Sequence, residues 1–218
     1  MEQLVVTLAH IAAGRDTDAL ALIRLITDTV RSAPGINTAQ CYRSCNTTSY
    51  FLLLTTWEDA DSWHKARDRY NPRDLLLTAA DLLAAPPEQW QMQYLWGYRR
   101  PIASPALSAV HLAAIRPAVI EQAQQTWMQG LQQQTLQPTL AFAFLARGMD
   151  DDATVLRKAY KPGTPGSHSH AGSVLLNFFS WGSDEERSEF YEDATYRTMH
   201  TALEHAGSVR ILSLEPVI

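Results

Sequence analysis

The feature that most constrains this chain is an internal repeat. Residues 9–13, AHIAA, recur 101 residues later as residues 110–114, VHLAA, and each copy ends a β-like run that precedes an amphipathic helix. Residues 55–59 are echoed 124 residues later by residues 179–183, so the second half carries an insertion of 23 residues. Echoes that follow the same order of elements indicate that one structural unit has been duplicated.

Hydrophobic periodicity gives the two halves the same predicted elements. In the first half the strands are predicted at residues 4–12, 36–45, 50–57 and 89–99, with helices at about 19–30 and 60–84. In the second half the strands are predicted at 107–115, 139–147, 173–181 and 209–214, with helices at 117–134 and 184–205. Asn71 and Pro72 interrupt the second helix of the first half, because Asn can cap a helix and Pro can open a new one.

The order βαββαβ predicts an α+β fold made of ferredoxin-like units, each with helices on one face of its sheet. We expect one unit at residues 1–100, a linker at 101–105 and a second, divergent unit at 106–218, with its insertion at about 148–172. An apolar sheet face left in water costs about 25 cal/mol per Å². We therefore expect the two units to pack sheet to sheet within one chain.

Composition excludes several classes of function. The chain has 218 residues, of which 46% are apolar and 19% are charged, and its formal net charge is −5. Nucleic acids and anionic membranes attract clustered positive charge, so we expect neither as a partner. A glutamine-rich stretch at 122–137 predicts a polar helix surface of low charge, which a second copy of the chain could cover. A homodimer of the two-unit chain is therefore one of the expected assemblies.

The opening residues and the cysteines point to the cytoplasm. No charged start followed by a long apolar run and a cleavage site is visible in the first residues. Cys41 and Cys45 lie four residues apart on a predicted strand, which separates them by more than about 10 Å. We expect two small buried residues in a reducing compartment, not a disulfide.

The first half resembles the antibiotic biosynthesis monooxygenase family over about residues 4–99. The resemblance rests on Gly14 after the opening strand, on Pro34-Gly35-Ile36, on Trp57-Glu58-Asp59 and on the broken helix at Asn71-Pro72. The second half matches mainly in its order of elements and in Trp181. The resemblance implies a dimeric α+β barrel, here formed by a tandem duplication within one chain.

The same resemblance implies a cofactor-independent monooxygenase that oxidises a small aromatic, phenolic or quinol compound in a barrel cavity. Haem-degrading relatives use a Trp and a His on the second helix, but the positions counted from Trp57 hold Ala66 and Leu76. Those counted from Trp181 hold Phe190 and His200, and an unbroken helix turns His200 away from the Phe190 face. Haem degradation is therefore not expected. The alternative is a non-catalytic small-molecule-binding or stress-related protein that keeps the barrel without the chemistry.

Two histidines are the candidate catalytic residues. His10 and His111 stand at matching places in the repeat, and an imidazole near neutrality can act as a general base. The alternative is that both are hydrogen-bonded core histidines. His10 is the first choice for the base and His111 the second.

Aromatic residues are the candidate ligand contacts, since flat organic ligands bind in aromatic-lined pockets. The strand at 89–99 carries an alternating bulky row, and two tryptophans end matching strands. The predicted substrate-binding residues are Trp57, Trp90, Trp96, Tyr98 and Trp181. Packing of the same residues in the core is the alternative.

No cofactor and no metal are expected. The sequence has no phosphate-binding glycine loop, nucleophile elbow or zinc-protease motif. His168 and His170 lie near Asp150, Asp151 and Asp152, but two histidines in a loop without a fixed third ligand are weak evidence for a metal site.

Overall fold

The computed structural model describes residues 2–45, 48–101, 105–136, 139–149 and 173–217. The chain divides into two compact units: unit 1 is Met1–Met92 with Leu214–Ile218, and unit 2 is Gln93–Ser213. The two histidines of the 168–170 loop, and most of the predicted insertion, lie outside the described residues. Within the described ranges, no helix is both long enough and apolar enough to span a bilayer.

Unit 1 follows the predicted order of elements. It contains β1 (Gln3–His10), α1 (Asp16–Arg31), β2 (Ile36–Ser44), β3 (Tyr50–Trp57), α2 (Ala60–Tyr70), α3 (Pro72–Leu77) and the start of β4 (Glu88–Arg99). Strand β1 pairs with β3 and β4, and β2 pairs with β3, all antiparallel. The helices pack on one sheet face around Ile23, Val30, Trp57 and Trp63, which form the core of the unit.

Unit 2 repeats the pattern. It contains β5 (Leu107–Ile115), α4 (Ile120–Gln134), β6 (Phe142–Gly148), β7 (Val174–Trp181), α5 (Asp184–Glu192), α6 (Ala194–Ala206) and most of β8 (Gly207–Pro216). Strand β7 lies between β5 and β6 and is antiparallel to both. The residues of β5, β6 and β7 that face the helices pack with Trp127, Leu131, Met199 and Leu203 of α4 and α6.

Both units interrupt their second helix at a capping residue. In unit 1 the side chain of Asn71 accepts a hydrogen bond from the Arg73 backbone and opens α3, as predicted. In unit 2 the predicted unbroken helix at 184–205 is wrong. The Asp193 carboxylate accepts hydrogen bonds from the backbone N–H groups of Thr195 and Tyr196, at 2.7 and 3.2 Å, so α5 ends and α6 begins there.

The strand register corrects the alignment of the two histidines. Gln3 pairs with Trp57, and Leu107 pairs with Trp181, so the repeat places Leu107 where unit 1 has Gln3. The offset between the two units that the strand register fixes is three residues larger than the offset that matches His10 to His111. An odd shift exchanges the two faces of a strand, because side chains alternate. The unit 1 residue at the place of His111 is Thr7.

Cys41 and Cys45 are not joined by a disulfide in the described structure. Cys41 is buried, and its burial raises the pKa of the thiol to about 12, so it packs as a small apolar residue. The expectation that Cys45 is buried is wrong, because it lies exposed just past the end of β2.

Candidate functional site

His111 lies in the centre of unit 2, on the sheet face that carries the helices. Ala109 and Ala113, its neighbours on that face of β5, belong to the core formed with α4 and α6. The side chain of His111 is 0% exposed. Histidine side chains are more often only partly buried, so the groups around this imidazole determine which hydrogen bonds it can form.

Five rings surround the imidazole, and with it they form what we call the His111 cluster. The distances between ring centroids are 5.1 Å to Phe179, 5.9 Å to Tyr196, 6.1 Å to Trp127, 6.1 Å to Tyr191 and 6.2 Å to His200. The members come from β5, α4, β7, α5 and α6. Every layer of unit 2 therefore contributes to this cluster.

Polar atoms of the cluster and of the neighbouring Asn177 have unused hydrogen-bonding capacity. His111 Nε2 lies 3.2 Å from the Tyr191 hydroxyl. His111 Nδ1, His200 Nε2, Trp127 Nε1 and both amide atoms of Asn177 are buried without a hydrogen-bond partner among the described residues. Asn177 pairs directly with His111 across the β5 and β7 strands, on the same face. Buried polar atoms are almost always paired, so five unpaired ones beside one histidine mark this cluster as the candidate site of unit 2.

Burial keeps His111, Tyr191 and Tyr196 uncharged. It lowers the pKa of His111 to about 3, with a smaller contribution from the positive charge that His200 can carry. Burial also raises the pKa of the Tyr191 phenol to about 12 and raises that of Tyr196. At neutral pH the site presents a neutral imidazole and two neutral phenols, which can donate and accept hydrogen bonds.

The break between α5 and α6 positions half of this site. Asp193 caps α6 and accepts a hydrogen bond from the Gln134 side chain at the end of α4. Tyr196 and His200 follow on α6, one turn apart, and their rings stack with centroids 5.6 Å apart. The interrupted helix thus brings His200 to His111, which the expectation of a continuous helix did not allow.

In unit 1, the polar side chains at the position that corresponds to His111 are hydrogen-bonded to one another. Thr7 stands where unit 2 has His111, and it is fully buried. The Gln89 side-chain amide donates to Thr7 Oγ1 and to Asn71 Oδ1, both at 2.8 Å. These three polar side chains satisfy one another, and the buried polar atoms of unit 1 without a partner among the described residues, Trp63 Nε1 and Arg73 Nε, lie on its helices instead.

His10, the first choice from the sequence, lies at the end of β1 in unit 1. It is on the face opposite the core residues Val5 and Ala9. Its ring is half-buried and stacks on Tyr50, with centroids 4.7 Å apart. The structure therefore does not place His10 in an environment like that of His111.

The predicted ligand-binding aromatic residues fall into three groups. Trp57 and Trp181 are fully buried in the helix-side cores of their own units. Trp90 pairs with Val6 and faces away from the helices of unit 1. Trp96 and Tyr98 are half-buried in unit 2, stacked on each other with centroids 6.4 Å apart.

Sequence reasoning missed Asn177, Tyr191, Tyr196 and His200 as parts of the site. The available signal was Asp193, an N-capping residue inside an otherwise helical pattern, which resembles Asn71 in the first half. Among the described residues, no group of three or more His, Cys, Asp or Glu side chains is arranged to hold a metal ion.

Comparison of structures, and not of sequences, identifies the fold. No protein-family model matches the sequence. No characterised protein matches it at the sequence level either.

Solved structures do match over the whole chain. An anthrone oxidase-like protein aligns with a TM-score of 0.73 and 11% identity, covering 100% of this chain and 92% of its own. A candidate monooxygenase from Fusobacterium nucleatum aligns at 0.70 with 6% identity, covering 100% and 93%. One from Lactobacillus acidophilus aligns at 0.63 with 7% identity, covering 100% and 94%. The predicted resemblance is therefore confirmed as a likeness of fold: this chain has the α+β fold of structures described as monooxygenase-like.

Proposed function

We propose that this chain is a cofactor-independent monooxygenase that oxidises a small aromatic phenol, quinol or anthrone in the His111 cluster. The observation that carries the proposal is a set of five buried polar atoms without partners among the described residues, on His111, His200, Trp127 and Asn177, beside several aromatic rings. A flat phenolic molecule needs aromatic walls and a few polar groups that fix its oxygen atoms. The fold shared with monooxygenase-like structures supports the same function.

The substrate itself supplies the electrons in this reaction. Removal of one proton from a phenol or an anthrone leaves an electron-rich anion that can reduce O₂. For an anthrone, the CH₂ group and O₂ give a carbonyl group and one water, so one oxygen atom enters the ring system and the other leaves with the two hydrogens. The protein has to bind the molecule, exclude water and accept a proton.

The role that fits His111 is to hold a substrate oxygen. Because its pKa is about 3, the imidazole stays neutral over the physiological range and can exchange hydrogen bonds through Nδ1. Asn177, directly across the strand pair, offers an amide donor to the same oxygen. The closed network of Thr7, Gln89 and Asn71 supports a site in unit 2 rather than one in each unit.

The two sheets also need partners for the faces that carry no helices. The helix-free face of unit 1 includes Leu8 and Leu52, which alternate along their strands with residues of the core. The helix-free face of unit 2 includes Leu112 and Leu176. We propose that these faces pack against each other as an intrachain α+β barrel, because exposing them would cost about 25 cal/mol per Å². The apolar character of both faces supports this proposal.

Oxygen uptake tests the function directly. Wild-type protein should consume O₂ with at least one member of a panel of anthrones, hydroquinones and phenols, and His111→Ala should lower kcat/KM by roughly 10²-fold. His10→Ala is the matched control, because His10 is the histidine candidate on the first strand of unit 1, as His111 is on the first strand of unit 2. Loss of activity in His10→Ala with normal activity in His111→Ala would contradict the site in unit 2. Thermal stabilisation of the wild type by panel members without any O₂ uptake would favour the binding protein instead.

A further inference from the structure

The second histidine of the His111 cluster has two ring nitrogens in different surroundings. His200 Nδ1 lies 3.6 Å from Glu204 Oε2, one turn further along α6. His200 Nε2 is buried and has no hydrogen-bond partner among the described residues. The side chain of Glu204 is 58% exposed and that of His200 is 21% exposed, so this pair connects the cluster to the surface of unit 2.

This arrangement favours one tautomer of His200. A carboxylate next to Nδ1 attracts a proton to that nitrogen, which leaves the lone pair of Nε2 free to accept another. The distance of 3.6 Å is longer than a hydrogen bond, but such contacts shorten once the imidazole becomes charged. Tyr196 stacks on the ring and restricts its rotation.

We propose that His200 accepts the proton of the substrate at Nε2 and that Glu204 is the positioning residue that fixes its tautomer. This inference rests on the monooxygenase function proposed above. In the step, the O–H or C–H bond of the substrate breaks, its electron pair stays on the substrate, and an N–H bond forms at His200. The proton later leaves with the reduced oxygen atom as part of the water.

His111 does not fit this role as well as His200. Its Nε2 is engaged by the Tyr191 hydroxyl, and the ring is fully buried. Within the part of the chain that the structure describes, no carboxylate forms an ion pair or hydrogen bond with His111, so a proton placed there would be an uncompensated buried charge. Among the described residues, ring contacts join His200 to His111 on β5 and to Tyr196 on α6, and an ion-pair contact joins it to Glu204 on α6.

Kinetics of three variants test the assignment on a substrate of the wild-type protein. His200→Gln should lower kcat by roughly 10²-fold with KM changed less than about threefold, and added imidazole should restore part of the rate in His200→Gly. Glu204→Gln should lower kcat by about tenfold, because the base loses the group that orients it. His205→Gln, an exposed neighbour on the same helix, is the control and should keep wild-type kcat.

A second readout does not depend on turnover. In ¹⁵N spectra of the resting protein, His200 should carry its proton on Nδ1, and Glu204→Gln should shift this tautomer towards the other one. Full kcat in His200→Gln, or a His200 tautomer that is protonated on Nε2 in the wild type, would overturn the assignment while leaving the monooxygenase proposal intact. A wild-type protein that consumes no O₂ with the whole panel would overturn both.

Discussion

A buried, neutral imidazole makes the stability of this protein depend on pH. The pKa of His111 is about 3 in the folded chain and 6.5 when unperturbed, so below pH 6.5 the unfolded chain binds the proton more readily. The contribution of His111 to the free energy of unfolding is therefore complete above pH 6.5 and is lost progressively as the pH falls towards 3. The cluster that keeps His111 neutral is thus held together best at neutral and alkaline pH.

The size of this effect can be measured against a variant. At pH 5 the His111 contribution should lower the unfolding free energy by about 2 kcal/mol relative to pH 8, at about 1.36 kcal/mol for each pH unit below 6.5. His111→Asn removes the titrating group, so urea unfolding of this variant should change less between pH 8 and pH 5. The same pH dependence in both proteins would show that His111 is not the buried neutral group described above.

Individual residues also show where sequence reasoning stops. The residue type of His111 and its place in the repeat made it a candidate. The face of the strand on which His111 lies could not be derived from them. Matching AHIAA to VHLAA aligns letters, whereas the strand pairs fix an offset that differs by three residues. Since an odd shift exchanges faces, His10 and His111 differ in the one property that matters most for a site.

At the level of helices, Asp193 is the residue on which the site depends. Asp193→Ala removes the capping hydrogen bonds to Thr195 and Tyr196 and the bond from Gln134, and should lower the unfolding free energy by about 1–2 kcal/mol. It should also lower O₂ uptake, because α6 carries His200 and Tyr196. Asn71→Ala, the corresponding change in unit 1, should cost similar stability and leave O₂ uptake unchanged. Equal losses of activity in the two variants would contradict a site confined to unit 2.

The strands were predicted well and the second helix of unit 2 was not. Strand β5 has its predicted bounds, and β3 does as well, because alternation and turn residues mark strands in the sequence itself. The interruption at Asn71 was predicted because Pro72 follows it, but Asp193 is followed by Ala194 and gives a weaker signal. Whether a lone Asp caps a new helix depends on tertiary contacts such as the one with Gln134.

For the chain as a whole, the proposed packing of the two sheets predicts the effect of a charge on their helix-free faces. Leu52→Asp in unit 1 and Leu176→Asp in unit 2 should each lower the unfolding free energy by more than about 3 kcal/mol, as for a charge placed in a core. A sheet face in contact with water would accept either change for less than about 1 kcal/mol. Urea unfolding of the two variants distinguishes these outcomes.

The two units differ at matching positions of their first strands. Unit 1 closes the position of Thr7 with Gln89 and Asn71, whereas unit 2 surrounds His111 with rings and unpartnered polar atoms. The repeat and the order of elements could be predicted from local sequence pattern, but the site could not. The residues Asn177, Tyr191, Tyr196 and His200 are brought together by register and by one helix break.

The location of the ligand is the most direct test of this account. A dihydroxyanthraquinone, as an analogue of an oxidised product, can be titrated into the protein while the ¹H–¹³C signals of the histidine rings are followed. The account predicts that the His111 and His200 signals move together and saturate at one ligand per chain, while those of His10 and His64 stay in place. Movement of the His10 signal with unchanged His111 and His200 signals would contradict it.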